Sequence, residues 1–146
     1  MLTGDGYYHS VKDGAATPGD TQERPENHDQ GKGMIHFITG AKELRSAIGS
    51  DIPLQQIMIL VHLWLHGKCR QTDLCRELDM LRAAVSRHCR SMSSYYVAGD
   101  EGVVEKGQQL LITERDTYLR HDYYWLSERG QKIMDRFAAE LSGLST

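Results

Sequence analysis

A mainly α-helical domain with one small β-hairpin is the fold class this sequence predicts, and three observations predict it. Apolar residues recur at three- and four-residue spacing through most of residues 34–92. After residue 94 the texture changes to short β-branched and aromatic runs separated by turn residues. A last helical pattern then follows Ser127. With 146 residues, 40% of them apolar, the chain is sized for one domain with a single modest core.

Residues 1–33 stand outside that pattern. They hold Pro18 and Pro25, many Gly, Asp, Glu, Asn and Gln, and only Leu2 and Val11 as aliphatics. Such a segment buries too little to offset its ordering entropy, so it reads as a disordered acidic tail, leaving residues 34–146 as the folded domain. A first helix is expected over residues 34–48, where Ile35, Ile38, Ala41, Leu44 and Ile48 share a face. Gly40 weakens it, and Gly49 supplies a stop. Pro53 suits the first turn of the next helix, with Ser50 or Asp51 accepting from its free amides. Residues 54–65 are apolar on nearly every side, the mark of a helix buried against several neighbours, and Gly67 ends it.

A short helix over residues 72–78 turns Leu74, Cys75 and Leu78 inward. Asp79 is placed to cap a further helix over residues 80–92, on which Leu81, Val85, Cys89 and Met92 share one face. Arg82, Ala83, Ser86, Arg87 and Arg90 fall on the opposite face, and no acidic residue lies on this helix. Further on, Gly99-Asp100-Glu101-Gly102 is turn material, and Val103-Val104 begins a strand. Residues 110–113 and 123–126 suit an antiparallel pair, with a polar tip at residues 114–120 between them. Ser127 caps a final helix striped by Ile133, Phe137 and Leu141, with Met134 and Ala138 beside them, and Gly143 closes it.

The formal charge of −3 argues against a wholly basic nucleic-acid binder, but the charge is uneven. Residues 1–33 carry a net of −3. Residues 68–92 are locally basic: Lys68, Arg70, Arg76, Arg82, Arg87 and Arg90 face only Asp73, Glu77 and Asp79. A phosphate backbone responds to such a patch rather than to the total. Two short helices around a tight connection, the second bearing arginines on its outer face, form the pattern of a helix-turn-helix whose second helix lies in a DNA groove. There Arg82, Arg87 and Arg90 would reach phosphates or a guanine edge, a good bidentate pair contributing roughly 1–3 kcal/mol of discrimination. Ala83 and Ser86 are small enough for close approach. Gln71 and Thr72, at the start of the preceding helix, would offer main-chain N–H groups to phosphate. The competing reading is a solvated helix face and ordinary helix capping.

The order helix, helix, helix-turn-helix, hairpin, helix is that of a winged helix-turn-helix, and several short pieces resemble the MarR family of bacterial regulators. They are Gln55-Gln56 after Pro53, Asp73-Leu74-Cys75-Arg76-Glu77-Leu78, Val85-Ser86-Arg87, Gly102-Val103-Val104-Glu105-Lys106 and Leu126-Ser127-Glu128-Arg129-Gly130. The resemblance covers about residues 51–142. Leu81 stands where the family usually has a small polar cap, so Asp79 must substitute. The resemblance implies a sequence-specific, double-stranded-DNA-binding transcriptional regulator. Residues 80–92 would read the major groove, and a wing over residues 110–126 would bring Arg115 and Arg120 to the flanking groove. It also implies a homodimer paired through terminal helices and a small-molecule effector. Tyr95, Tyr96, Tyr123, Tyr124, Trp64 and Trp125 would line the effector pocket or serve as core and interface aromatics. The alternative is a winged-helix docking module that binds protein and no DNA. A third reading has the acidic tail competing with DNA for the basic helix.

Other classes find little support. Cys69, Cys75 and Cys89 are odd in number, so a disulfide framework is not expected and a reducing cytoplasm fits best. His66, Cys69, Cys75, His88 and Cys89 lack the paired spacing of a zinc site, so no metal or other cofactor is expected. Cys69, flanked by Lys68 and Arg70, is the one candidate for a reactive thiol. The N-terminal residues lack the basic and apolar regions of a secretory signal, and no apolar run is long enough to span a bilayer, so no membrane role is expected. A phosphate-cradling Gly loop, a nucleophile elbow and a metalloprotease pair are all missing from the sequence, which reads as a non-enzyme.

Overall fold

The structure, a computed structural model, describes residues 28–143. The tail expected over residues 1–33 falls, for residues 1–27, outside the described residues. Helix α1 (His28–Ala47) begins ahead of the expected start, because residues 28–33 carry no apolar periodicity by which to detect it. The winged-helix unit spans His36–Thr146. It contains the rest of α1, then α2 (Leu54–His66), β1 (Cys69–Arg70), α3 (Gln71–Leu78) and α4 (Arg82–Met92). β2 (Tyr95–Gly99), β3 (Gly102–Lys106), β4 (Leu111–Asp116), β5 (His121–Leu126) and α5 (Glu128–Leu141) complete it.

The core gathers around α2, which buries Ile59, Leu60 and Leu63. Leu74 of α3 and Val85, Cys89 and Met92 of α4 join them, with Leu110, Leu111 and Tyr124 from the wing and Met134 and Phe137 from α5. Only the second half of α1 contributes: Leu44 is buried, whereas Phe37 and Ile38 remain exposed. Gly40, a helix-weakening residue by propensity, lies against Phe137, and a Cβ there would sit 2.9 Å from the ring. Close packing of α1 on α5 therefore overrides its propensity. Along α5 the stripe is narrower than expected, since Ile133 is half-buried and Leu141 is 40% exposed.

The three-stranded sheet has the order β1-β5-β4 and is antiparallel throughout. The β4–β5 hairpin is the wing, paired from Leu111↔Leu126 to Asp116↔His121. Asp116 shapes its tip by accepting from the main-chain N–H of Tyr118 and Leu119 at 3.0 and 3.1 Å. Arg120 closes the turn in the left-handed region at φ 56°.

A second hairpin, β2–β3, takes up Gly102-Val103-Val104-Glu105-Lys106, where a strand was expected from Val103. That strand is separate from the wing. It is the return strand of an additional hairpin whose register ends at Gly99↔Gly102, leaving Asp100-Glu101 as its loop. Tyr95, Tyr96 and Val97 favour strand and explain its first half. The chain comes back to its departure point: Gln108 N–H donates to Ser91 O (3.1 Å) and Leu110 N–H to Met92 O (2.7 Å). Gly107 permits the crossing, because at φ 97° its absent Cβ would overlap the Ser93 carbonyl.

Two cap expectations and one facing expectation also change. Pro53 is itself the N-cap of α2, without a side-chain cap from Ser50 or Asp51. Asp79 does not cap α4; it ends α3 in the left-handed conformation at φ 54°. Leu81 is the N-cap of α4 and is 80% exposed, so it leaves the inner face it was expected to share with Val85, Cys89 and Met92. Ser127 behaves as expected. Its Oγ accepts from Gly130 N–H at 3.0 Å and donates to Gln109 O at 2.7 Å.

Candidate nucleic-acid interface

Helices α3 and α4 present their candidate residues differently. On α4, burial of Val85, His88, Cys89 and Met92 turns Arg82, Ala83, Ser86, Arg87 and Arg90 to solvent. Among the described residues, none of these three arginines pairs with a carboxylate. Their charge is therefore not neutralised locally. Arg90 lies over the Tyr95 ring, 4.7 Å from its centroid, which steadies it at the far end of the helix.

Thr72 is exposed at the start of α3, but the Gln71 side chain points inward. Its Nε2 donates to Arg82 O at 3.4 Å, and its Oε1 accepts from the Tyr124 hydroxyl at 3.3 Å. Gln71 thus joins the start of α3 to the first residue of α4 and to the wing. Its amide is occupied, and only its main chain remains to meet a ligand. Burial, the largest cause, pushes the Tyr124 hydroxyl well above its ordinary pKa, so it stays a neutral donor to Gln71.

Gln71, Thr72, Arg82 and Arg120 line one cavity of about 290 Å³ between α3, α4 and the wing. Ser86 and Arg90 line a neighbouring hollow of about 310 Å³ with Tyr95 and Thr113. Arg87 and Ala83 stand on the open face of α4, in neither. Arg115 is set apart on β4, paired with Asp122 at 3.4 Å.

Residue pattern alone misses the support behind this face. His88 is buried between two glutamines of α2: its Nε2 lies 2.7 Å from Gln55 Oε1 and its Nδ1 3.3 Å from Gln56 Nε2. The Gln55 oxygen can only accept and the Gln56 amide nitrogen can only donate, so this is a neutral imidazole with its proton on Nε2. Burial and then the Arg87 charge lower its pKa, in keeping with the neutral form. The Gln55-Gln56 pair of the sequence was the available signal, but nothing local named its partner. Arg129 is the second such residue. It donates to Gln108 O (2.6 Å) and Ala47 O (3.0 Å), tying α5 to the base of the wing and the end of α1.

The effector expectation shifts as well. A cavity of about 890 Å³ runs beside α5 and the base of β4, lined by Ala47, Ser94, Gln109, Ile112 and Arg129 among others. None of the six expected tyrosines and tryptophans lines it. Tyr124 is core, and Trp64 donates to Asp135 at 2.9 Å. Tyr123 and Trp125 hold the Lys68 ammonium at 5.1 and 4.7 Å from their ring centroids. Cys69 is not the activated thiol its basic neighbours suggest: burial, Asp73 and Glu77 all raise its pKa. Among the described residues no three His, Cys, Asp or Glu side chains cluster as a metal site. Among them, too, no helix is long and apolar enough to cross a membrane.

The arrangement of helix-turn-helix, hairpin and closing helix can be compared with known proteins. No family model matches the sequence, and no curated protein is significantly similar to it. Solved structures do match in three dimensions. Disulfide-formed AbfR superposes with a TM-score of 0.54 at 16% identity, over 75% of this chain and 65% of that one. MepR, a transcription regulator of the Staphylococcus aureus multidrug efflux pump MepA, gives 0.54 at 16% identity, over 84% of this chain and 79% of its own. Reduced AbfR bound to DNA gives 0.52 at 14% identity, over 82% and 76%. These neighbours are MarR-family regulators. The fold is the MarR-like winged helix. This chain spans 65% of disulfide-formed AbfR, less than two thirds of its length. Within the MarR-like frame, α3 and α4 are the helix-turn-helix, and the β2–β3 hairpin is an excursion between α4 and the wing.

Proposed function

We propose that the protein is a sequence-specific DNA-binding transcriptional regulator of MarR-like type, acting in the cytoplasm. In this reading α4 enters the major groove. Arg82, Arg87 and Arg90 meet guanine edges or phosphates, Ala83 and Ser86 allow close approach, and the main chain of Gln71 and Thr72 meets the backbone. The wing carries Arg120, and Arg115 on its strand, to the flanking groove. The observation that carries this reading is the outer face of α4, with three exposed arginines and no carboxylate partner among the described residues. A docking module without DNA binding is less well supported, because an unneutralised cationic stripe suits phosphate better than an ordinary protein surface. The likeness to DNA-bound AbfR supports the same direction.

Two further parts of the reading belong to the same proposal. Phe37 and Ile38 on α1 and Leu141 on α5 leave apolar surface exposed, which a second protomer would cover, and two-fold pairing implies a near-palindromic site. The 890 Å³ cavity is the proposed effector seat; the neighbour NadR is described in complex with 4-hydroxyphenylacetate. Selection of bound duplexes from a random pool tests the function directly. The wild-type chain enriches a sequence motif. The triple variant Arg82→Ala, Arg87→Ala, Arg90→Ala enriches none while keeping its circular dichroism. Equal enrichment by both proteins, or none by the wild type, removes the proposal.

A further inference from the structure

Three arginines from different parts of the chain meet at the 290 Å³ cavity between α3, α4 and the wing. Arg70 comes from β1, Arg82 from the first turn of α4 and Arg120 from the end of the wing turn. Neither Arg70 nor its neighbour His121 stands out in the sequence as a binding residue. Arg70 is held in place from two sides. Its Nε donates to Asp73 Oδ2 at 3.3 Å, and its Nη1 donates to His121 Nδ1 at 3.4 Å. A guanidinium can only donate, so Nδ1 of His121 is the acceptor and the ring serves to orient Arg70. Asp122 is the carboxylate in the lining, and Arg115 pairs with it at 3.4 Å, outside the cavity. Arg82 and Arg120 line the cavity, and neither pairs with a carboxylate among the described residues. Thr72 adds a hydroxyl to the same wall. The volume lies at the small end of ligand pockets, about 300–1,000 Å³, and suits a compact anion better than a drug-sized molecule.

We propose that this cavity seats a single phosphate group, gripped jointly by Arg70, Arg82 and Arg120, with His121 as the residue that positions Arg70. Guanidinium forks match phosphate oxygens geometrically, and three of them around one seat give a charge-assisted site rather than a diffuse patch. The source of the phosphate rests on the DNA reading: a backbone phosphate between the recognition helix and the wing. Free phosphate shares the chemistry, and the experiment separates the two.

Inorganic phosphate is titrated into the full chain and followed by NMR at the arginine Nε–H groups. Saturable shifts at Arg70, Arg82 and Arg120, absent with chloride at matched ionic strength and weakened at least tenfold in Arg120→Gln, are expected. In a second arm, duplex affinity is measured over a salt series. For B-DNA the slope of log K against log salt is about −0.9 per phosphate neutralised. Arg70→Gln and Arg120→Gln should each flatten it by no more than about 0.9, and the double variant should flatten it no further, because both residues serve one phosphate. Additive losses contradict a shared seat. His121→Ala should weaken duplex binding in the wild-type background and not in Arg70→Gln, which a purely structural role would not produce. Phosphate binding with an unchanged DNA slope keeps the seat and assigns it to free phosphate. Unchanged slopes together with no phosphate shifts overturn the proposal. If Arg87→Ala weakens DNA binding while the pocket variants do not, the seat fails as a DNA contact and the regulator reading stands. If the wild type binds no duplex, the regulator reading fails and the phosphate titration alone decides the seat. Arg82→Gln, at an exposed position, repeats the test if Arg70→Gln folds poorly.

Discussion

Gly130→Ala is a demanding test of how the final helix is seated on the wing. In an unhindered helix the exchange stabilises by about 1 kcal/mol. Here the new Cβ would overlap the Leu110 carbonyl oxygen and lie 3.1 Å from its carbon. That neighbour is backbone, held in turn by the Ser127 N–H donated to Leu110 O at 2.9 Å and by Leu110 N–H donated to Met92 O at 2.7 Å. It cannot rotate away as a side chain would. Relief requires α5 to lift by about an ångström, since carbon–oxygen contacts settle at about 3.3 Å or beyond. Lifting stretches the Ser127 cap, whose loss costs about 1 kcal/mol, and loosens Met134 and Phe137 in the core. With an overpacking cost of about 1–3 kcal/mol added, and the helix-propensity gain set against the lost cap, the net effect is a loss of about 1–3 kcal/mol. In urea, with an m-value near 1–3 kcal/mol/M, the midpoint falls by about 1 M. Gly33→Ala is the internal control: this helical glycine has nothing within 4 Å of its Cβ position, so that variant should be as stable as the wild type or more so. A Gly130→Ala midpoint equal to or above the wild type refutes the close-seating argument.

Other outcomes follow from the buried polar groups. Gln71→Leu removes the bonds to Arg82 O and Tyr124 and leaves two groups unpaired, so a loss of about 1–3 kcal/mol by chemical denaturation is expected. His88 has its pKa lowered by burial and by Arg87, so the unfolded chain binds the extra proton first. Its contribution is complete above its ordinary value near 6.5 and is lost as pH falls below that value through the lowered one. The wild-type midpoint should therefore drop more steeply than that of His88→Gln as pH falls below about 6.5; parallel curves would rule this out. Cys89, its pKa pushed up to about 12 by burial, should resist iodoacetamide at pH 8 in the folded chain and react on denaturation, and rapid native alkylation at that residue would contradict its burial.

Much of this fold is legible because periodicity and burial agree. The apolar run of α2, the inward Val85, Cys89 and Met92 of α4, and the Leu126-Ser127 entry to α5 all follow from spacing and capping chemistry. Illegible features depend on contacts across the chain. The pairing of His88 with Gln55 and Gln56 spans more than thirty residues and has no local signature. Arg70 looks like one more charge in a basic stretch until the wing brings His121 to it. The β2–β3 hairpin is partly visible as turn and strand material, but its partner strand Tyr95–Gly99 is identified only by the strand register. Asp79 illustrates the same limit: an aspartate between two helices suits either end, and its left-handed φ assigns it to the end of α3.

On the proposed reading, α4 and the wing form the face that meets DNA. Mapping amide and arginine side-chain shifts on titration with a selected duplex tests it most directly. Shifts concentrated at Thr72, Arg82, Ala83, Ser86, Arg87, Arg90 and Arg120, and lost as salt is raised, are the predicted result. Shifts confined to α1, α5 or the β2–β3 hairpin, or a spectrum unchanged by duplex at low salt, would contradict it.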